Sequence, residues 1–322
     1  MTELLTIADV RQAETVLNGV AHVTPVVTSR QLDRVAGSRV FLKCENFQRV
    51  GAFKFRGAYF AISRLAAGGN RRPIVTLSSG NHAQGVALAC HLHGRQAHVV
   101  MPAPVNPAKK AAVLGYGATL YETANRAEAE RLVRRLVAQE DGLLVHPYND
   151  PHVMAGQGTV ALEFLRQLGE LDVLLAPISG GGLLSGVCVA AHSIDPGIKI
   201  FACEPAGALD AIHSVRENRI VPQTRPQTMA DGLRSTLGEL ALPILRRHLA
   251  GFFVVQEEEI VEAMRFVFER MKIVIEPSSA VAVAPLLRRE PLLMDRTVGV
   301  IVTGGNVDLS AYWSVVVPQA RL

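Results

Sequence analysis

A single lysine stands between two phenylalanines in GAFKFRGA, residues 51–58. Desolvation by Phe53 and Phe55 disfavours the Lys54 ammonium, so its pKa falls and the free amine becomes a nucleophile toward a carbonyl. The same residues also fit a snorkelling lysine on an amphipathic helix, with the phenylalanines on other faces. Three glycine-bearing loops offer a second chemistry: SSGNH (78–82), SGGGLLSG (179–186) and TGGN (303–306). In SGGGLLSG, residues with little or no side chain let backbone N–H groups converge on an anion at a helix start, as a phosphate cup does. A tight strand-to-helix turn that needs glycine for steric reasons is the alternative. The loop is neither G-x-G-x-x-G nor a Walker loop, which disfavours dinucleotides. An aldehyde cofactor carrying a phosphate would need both such a lysine and such a cup. SSGNH alone also fits a helix start capped by Ser or Asn. ACEPAGALD (202–210) places Glu204, Ala208 and Asp210 where two carboxylates and a backbone carbonyl make a site for Mg2+ or Ca2+. Two solvated acidic side chains are the plainer reading of that spacing.

These loops act together only if a scaffold brings them to one place. Short apolar runs alternate with longer amphipathic stretches: RVFLKCE (39–45), PIVTLSS (73–79), AHVVMP (97–102), TLYE (119–122), LLVHPY (143–148), DVLLAPIS (172–179), KIFACEP (199–205) and VGVIVTG (298–304). Such alternation predicts parallel sheet covered by helices, with ligands beyond the carboxyl ends of the strands, where all three loops fall. No repeat or proline-rich linker splits the chain in tandem. A smaller domain is therefore expected as an insertion over 53–148, with 1–52 and 149–322 forming the larger one.

Composition narrows the class. The chain has 322 residues, 49% of them hydrophobic and 19% charged, with a formal net charge of +4. Its arginines are interleaved with glutamates, as in NRAEAERLVRRL (125–136), so no basic tract argues for nucleic acid. No apolar run reaches the length of a membrane span and the N-terminal stretch lacks a basic n-region, so a soluble, cytoplasmic protein is expected. Cys44, Cys90, Cys188 and Cys203 lie far apart and read as buried free thiols. His91, His93 and His98 lack Glu or Cys at ligand spacing, and the isolated His146, His152, His213 and His248 are expected in surface or satisfied core roles.

GAFKFRGA, SSGNHAQG, SGGGLLSG, ACEPAGALD, EPSSA (276–280) and TGGN, in this order, resemble the fold-type II pyridoxal-phosphate enzymes of the serine/threonine dehydratase and serine racemase family, including threo-3-hydroxyaspartate ammonia-lyase-like members. The resemblance spans nearly the whole chain. It implies an α/β architecture of two domains, each a mostly parallel twisted sheet, with the cofactor in the cleft between them as in the tryptophan synthase β-like fold. It assigns Lys54 to the Schiff base with pyridoxal 5'-phosphate, Phe53 and Asn81 to the pyridine ring and its 3-hydroxyl, and Ser179, Gly180, Gly181, Gly182 and Leu183 to the phosphate. Glu276 joins the cofactor set through EPSSA. Thr303 takes the place of a serine common in this branch; its neutral hydroxyl suits β-elimination, where an aspartate would hold a pyridinium. Ser79 is placed on the cofactor face opposite Lys54, able to exchange a proton with Cα in racemisation. Ser78, Ser79, Asn81 and His82 would hold the substrate α-carboxylate. Glu204, Ala208 and Asp210 match a divalent-metal site. Arg126 matches an arginine that can reach the distal carboxylate of a diacid, or else is a surface residue paired with Glu122 or Glu130. The expected activity is a threonine/serine ammonia-lyase acting on a small amino acid, with serine racemase or threo-3-hydroxyaspartate ammonia-lyase as the alternative. A homodimer is the family expectation, and about 16 residues after TGGN leave no room for a regulatory extension.

Overall fold

The computed structural model describes residues 5–67, 69–105 and 107–317. Ten strands make two sheets. They are β1 (Val26–Val27), β2 (Arg39–Cys44), β3 (Ile74–Leu77), β4 (Ala97–Pro102), β5 (Thr119–Thr123), β6 (Leu143–Leu144), β7 (Val173–Pro177), β8 (Lys199–Pro205), β9 (Leu249–Val255) and β10 (Thr297–Val302). The larger sheet runs β1-β2-β10-β7-β8-β9 and the smaller β5-β4-β3-β6. Every pairing is parallel except β1 with β2, which is antiparallel at one edge. The smaller sheet takes all its strands from within 74–144, and the larger takes its strands from both sides of that segment.

All eight expected strands form. The two missed ones lie at opposite edges of the larger sheet. β1 is two residues long, too short to show a period. β9 follows the helix Ala241–His248 directly, with no glycine or proline to mark a boundary, and pairs with β8 across an irregularity at Ile200/Phe201.

Central strands have no polar face because helices cover them on both sides: all five residues of β7, VLLAP, are buried. One apolar cluster, including Leu42, Val300 and Ile260, packs on one face of the larger sheet, and another, including Leu174, Val187 and Phe164, on the other. A third, including Ile74, Val99 and Val86, fills the smaller unit. The four cysteines are buried and free, as expected. Among the described residues, no helix is long and apolar enough to cross a membrane.

The sheets aim four strand ends at one cleft. β3 leads through SSGNH into the helix Asn81–Leu92, and β7 through the glycine loop into the helix Gly182–Ile194. β10 ends at TGGN, and β6 ends at the turn 145–150 before the helix Pro151–Leu168. GAFKF is pinned to TGGN: Ala52 and Gly304 form an antiparallel bridge, and the Phe53 N–H donates to the Thr303 carbonyl at 3.0 Å. This docking delivers Lys54 to the cleft as the first residue of the helix Lys54–Ala67.

Candidate active site

The cleft has a volume of about 620 Å3 and its lining includes Phe53, Lys54, Ser78, Ser79, Asn81, His82, Arg126, Ser179, Gly180, Gly181, Gly182, Leu183, Glu276 and Thr303. Expected residues from segments more than 200 positions apart in sequence thus share one cavity. Lys54 Nζ donates to the Pro147 carbonyl at 2.7 Å and lies 5.1 Å from the centre of the Phe53 ring. Burial brings its pKa down to about 8, against the pull of Glu276. Phe55 instead packs on Tyr59, their ring centroids 5.5 Å apart. One of the two flanking phenylalanines therefore touches the amine, and the rest of the desolvation comes from tertiary packing.

Asn81 Nδ2 donates to both Glu276 oxygens, at 2.9 and 3.0 Å, and Asn306 Nδ2 donates to Asn81 Oδ1 at 3.0 Å. Burial and the neighbouring Asp231 push Glu276 up to about 7, while Lys109 pulls the other way. Lys109 Nζ bonds Asp231 at 2.7 Å, joining a residue after β4 to one after β8 at the cleft wall. His82 is buried, its Nε2 3.3 Å from the Val145 carbonyl and its Nδ1 without a partner among the described residues. Burial and Lys54 hold its pKa well below the usual imidazole value, so it is neutral.

SSGNH does not cap its helix with a side chain. The N-cap is Gly80, without a side-chain hydrogen bond, and Asn81 is already helical. The helix Gly182–Ile194 likewise starts from Gly181, at φ 83°, with no side-chain cap. Two helix N-termini therefore present uncapped donors to one cleft, which favours anions there. Sterics also demand these glycines: a Cβ on Gly180 would sit 2.3 Å from the Tyr148 ring, and one on Gly181 2.6 Å from Ala241 Cβ. Cup and tight turn are thus one structure. Ser179 Oγ braces it, donating to the Ser235 carbonyl at 3.1 Å and accepting from the Ser235 N–H at 3.0 Å. Across the cleft the buried Thr303 hydroxyl lies 2.9 Å from Ser279 Oγ, which accepts from the Gly304 N–H at 2.8 Å.

Residues 18–304 match the profile described as pyridoxal-phosphate dependent enzyme. The chain is 42% identical over 309 residues to the L-threo-3-hydroxyaspartate ammonia-lyase of Saccharomyces cerevisiae, covering 95% of each. It is 41% identical over 314 residues to the serine racemase of Dictyostelium discoideum, covering 95% of this chain and 96% of that one. The structure of maize serine racemase superposes with a TM-score of 0.93 at 39% identity, over 97% of this chain and 96% of the other. The chain belongs to the pyridoxal-phosphate dependent enzyme family.

The cleft fits the cofactor of that family. A buried amine, uncapped donors at the start of the helix Gly182–Ile194 and the Thr303 hydroxyl line one cavity, as an aldehyde, a phosphate and a ring nitrogen would require. Ser78 and Ser79 are half-buried in its wall.

Arg126 is both a cleft residue and one half of a helical ion pair. It lines the cleft, yet it is 61% exposed and its Nε donates to Glu130 at 3.0 Å one helical turn on. Glu122 is not its partner, being paired with Lys110. Glu204, Ala208 and Asp210 lie outside the cleft lining. Glu204 accepts from the Ala211 and Ile212 N–H groups at 2.9 and 3.0 Å, at the start of the helix Asp210–Glu217. Asp210 accepts from Gln223 Nε2 and the Leu237 N–H, both at 3.0 Å. Neither is a solvated surface acid: burial pushes Glu204 up to about 8 and Asp210 to about 6. Among the described residues, no cluster of three or more His, Cys, Asp or Glu side chains could hold a metal ion.

Sequence reasoning missed Arg134, Tyr148, Lys109 and His146 in this wall. Arg134 was accessible in principle, eight residues after Arg126 and so on the same face of the helix Arg126–Gln139. His146, expected in a surface or satisfied core role, instead lies in the cleft on the turn after β6.

Proposed function

We propose that this chain is a pyridoxal-phosphate-dependent ammonia-lyase that eliminates water from β-hydroxy-α-amino acids, with a diacid of the threo-3-hydroxyaspartate type as its preferred substrate. The observation that carries the preference is the helix Arg126–Gln139, which lines the cleft with Arg126 and Arg134 around a single acid, Glu130. That stripe is net positive where a substrate's distal carboxylate would point. The names of the relatives support it: hydroxyaspartate ammonia-lyase and serine racemase stand above the threonine/serine ammonia-lyase first expected from the sequence. Ser79, in the same cavity as Lys54, supports racemisation of serine as a second activity.

Bound pyridoxal phosphate would supply the electron sink that makes the substrate α-proton acidic. The chain's own residues do the rest. A Lys54 amine with a pKa of about 8 is partly unprotonated at neutral pH and takes that proton. Donors at the start of the helix Asn81–Leu92, with Ser78 and Ser79, hold the α-carboxylate, while neutral His82 adds no competing charge. The Thr303 hydroxyl would meet the cofactor's ring nitrogen without charging it, which suits elimination of the β-hydroxyl. The products are a 2-oxo acid and ammonia. We further assign the chain to a cytoplasmic homodimer, with 53–148 as its inserted domain.

Arg126→Ala tests the preference. A charged hydrogen bond of about 1.5–3 kcal/mol corresponds to a roughly 10–100-fold loss of kcat/KM for L-threo-3-hydroxyaspartate, with a smaller change for L-serine. Assays of 2-oxo acid and D-serine on L-serine, L-threonine and the diacid read both activities, and equal turnover of the diacid by the variant rejects the arginine's role.

Two buried carboxylates with raised pKa values suit a hard cation, and Glu204, Asp210 and the Ala208 carbonyl would be its protein ligands. Its place would be structural, holding the start of the helix Asp210–Glu217 outside the cleft. Adding Mg2+ to chelator-treated protein is expected to raise Tm, and Glu204→Gln to remove that increment; a Tm indifferent to Mg2+ and Ca2+ excludes the site.

A further inference from the structure

His146 stands at the carboxyl end of β6, in the turn that leads to the helix Pro151–Leu168. Its Nδ1 accepts from the Asn149 N–H at 2.9 Å and from the Tyr148 N–H at 3.4 Å. Backbone amides only donate, so Nδ1 carries no proton and a neutral ring must hold its proton on Nε2. The ring is neutral: burial, Lys54 and Arg126 together push its pKa down to about 4. An edge-on contact with Tyr148, centroids 4.5 Å apart at 88°, fixes its plane. Nε2 has no hydrogen-bond partner among the described residues and is not among the sealed-off polar atoms, and the residue lines the cleft. The chain has therefore built a neutral, single-tautomer N–H donor that faces the cavity.

Its neighbours say what that donor would meet. Pro147, the next residue, takes the Lys54 amine at 2.7 Å. Arg126 also lies close enough to act on the same imidazole. His146 thus neighbours both the amine assigned to the α-proton and the arginine assigned to the distal carboxylate, which would put it near Cβ of a substrate held by the two.

We propose that His146 reads the β-hydroxyl, its Nε2–H donating a hydrogen bond to the β-oxygen and orienting the bond that breaks. This rests on the ammonia-lyase reading above. The imidazole keeps its proton throughout: the Cβ–O bond breaks with its electron pair on oxygen, the proton that Lys54 took from the α-carbon passes to that oxygen so that water leaves, and the Nε2–H hydrogen bond strengthens as charge gathers there. Its role is distinct from those assigned to Ser79 and Lys54 at the α-carbon.

His146→Asn separates this role from bracing of the turn. Asparagine keeps an acceptor near the Nδ1 position for the Asn149 N–H and removes the Nε2 donor. The holoenzyme variant is expected to lose about 10²-fold in kcat/KM on L-serine and L-threo-3-hydroxyaspartate. On β-chloro-L-alanine, whose chloride leaves without a donor, it should stay within about threefold of the unmodified enzyme. Equal losses on both substrate types, or no loss on either, overturn the proposal. Histidine-labelled holoenzyme gives a readout independent of turnover: the nitrogen signals lost in His146→Asn should show a bare Nδ1 and a protonated Nε2 at neutral pH. A protonated Nδ1 overturns the assignment. An unmodified enzyme that turns over none of the hydroxylated substrates sinks the ammonia-lyase reading and this proposal together, whereas normal turnover with an unselective variant sinks this proposal alone.

Discussion

Lys54→Ala should leave the protein folded and lower turnover by a factor on the order of 10⁴ or more, with no cofactor covalently retained. The expectation follows from position as much as from residue type. The amine is delivered to the cleft by the docking of Ala52 and Phe53 on TGGN, and its pKa of about 8 leaves a usable fraction as free base. Lys109, also in the cleft wall, cannot substitute because its ammonium is ion-paired with Asp231. Lys54→Arg should be equally inactive, since a guanidinium keeps the charge but never becomes a free amine at working pH. Stability should change little: the variant loses one hydrogen bond to Pro147 but no longer desolvates an ammonium. Borohydride treatment followed by mass spectrometry of the Lys54 peptide reads cofactor attachment directly. A variant that keeps a tenth of the turnover, or an unmodified enzyme that labels at another lysine, would reject Lys54.

That Lys54 and the three glycine-bearing loops would share one cleft was legible because each loop is a separate local signal at the end of an apolar run. Parallel strands then force those ends to one edge. What local sequence could not carry was partnership. SSGNH offers Ser and Asn as caps, but the chain turns at Gly80, so Asn81 is free to meet Glu276, 195 positions away. His146 lacks any motif; its tautomer is set by two amides of its own turn, and its exposure to the cleft by the pairing of β6 with β3. Glu204 and Asp210 stood out in sequence only as two acids at a spacing a cation could use; their burial and N–H partners follow from where β8 ends. The edge strand β9 was lost because it grows out of a helix without a break.

Arg56, two residues after Lys54, carries the largest stability prediction. It is 2% exposed, and it clamps Glu45 with Nε and a terminal nitrogen, both at 2.8 Å, while reaching Glu163 at 3.1 Å. Lys43 completes the cluster through Glu163, Gln167 and the Thr24 carbonyl. Removing one member of a buried pair strands a charge, so Arg56→Met should cost about 3–5 kcal/mol and lower Tm by roughly 5–10 °C. The pH dependence identifies the cause. In the native protein burial pushes the Glu45 carboxyl up, but Arg56, the Thr24 hydroxyl and Lys43 outweigh it and hold its pKa below the usual value. A depressed folded-state pKa contributes stability above the unfolded carboxylate pKa of about 4.3, lost as pH falls through the folded value. Without Arg56 the folded pKa rises instead, so the deficit of Arg56→Met should be greatest at neutral pH and shrink as the pH falls and Glu45 takes a proton. Adding Glu45→Gln to Arg56→Met should recover more than half of the lost stability at neutral pH, because an amide leaves no stranded charge. If the double variant is no more stable than the single one, lost packing of the guanidinium, and not the uncompensated carboxylate, sets the cost.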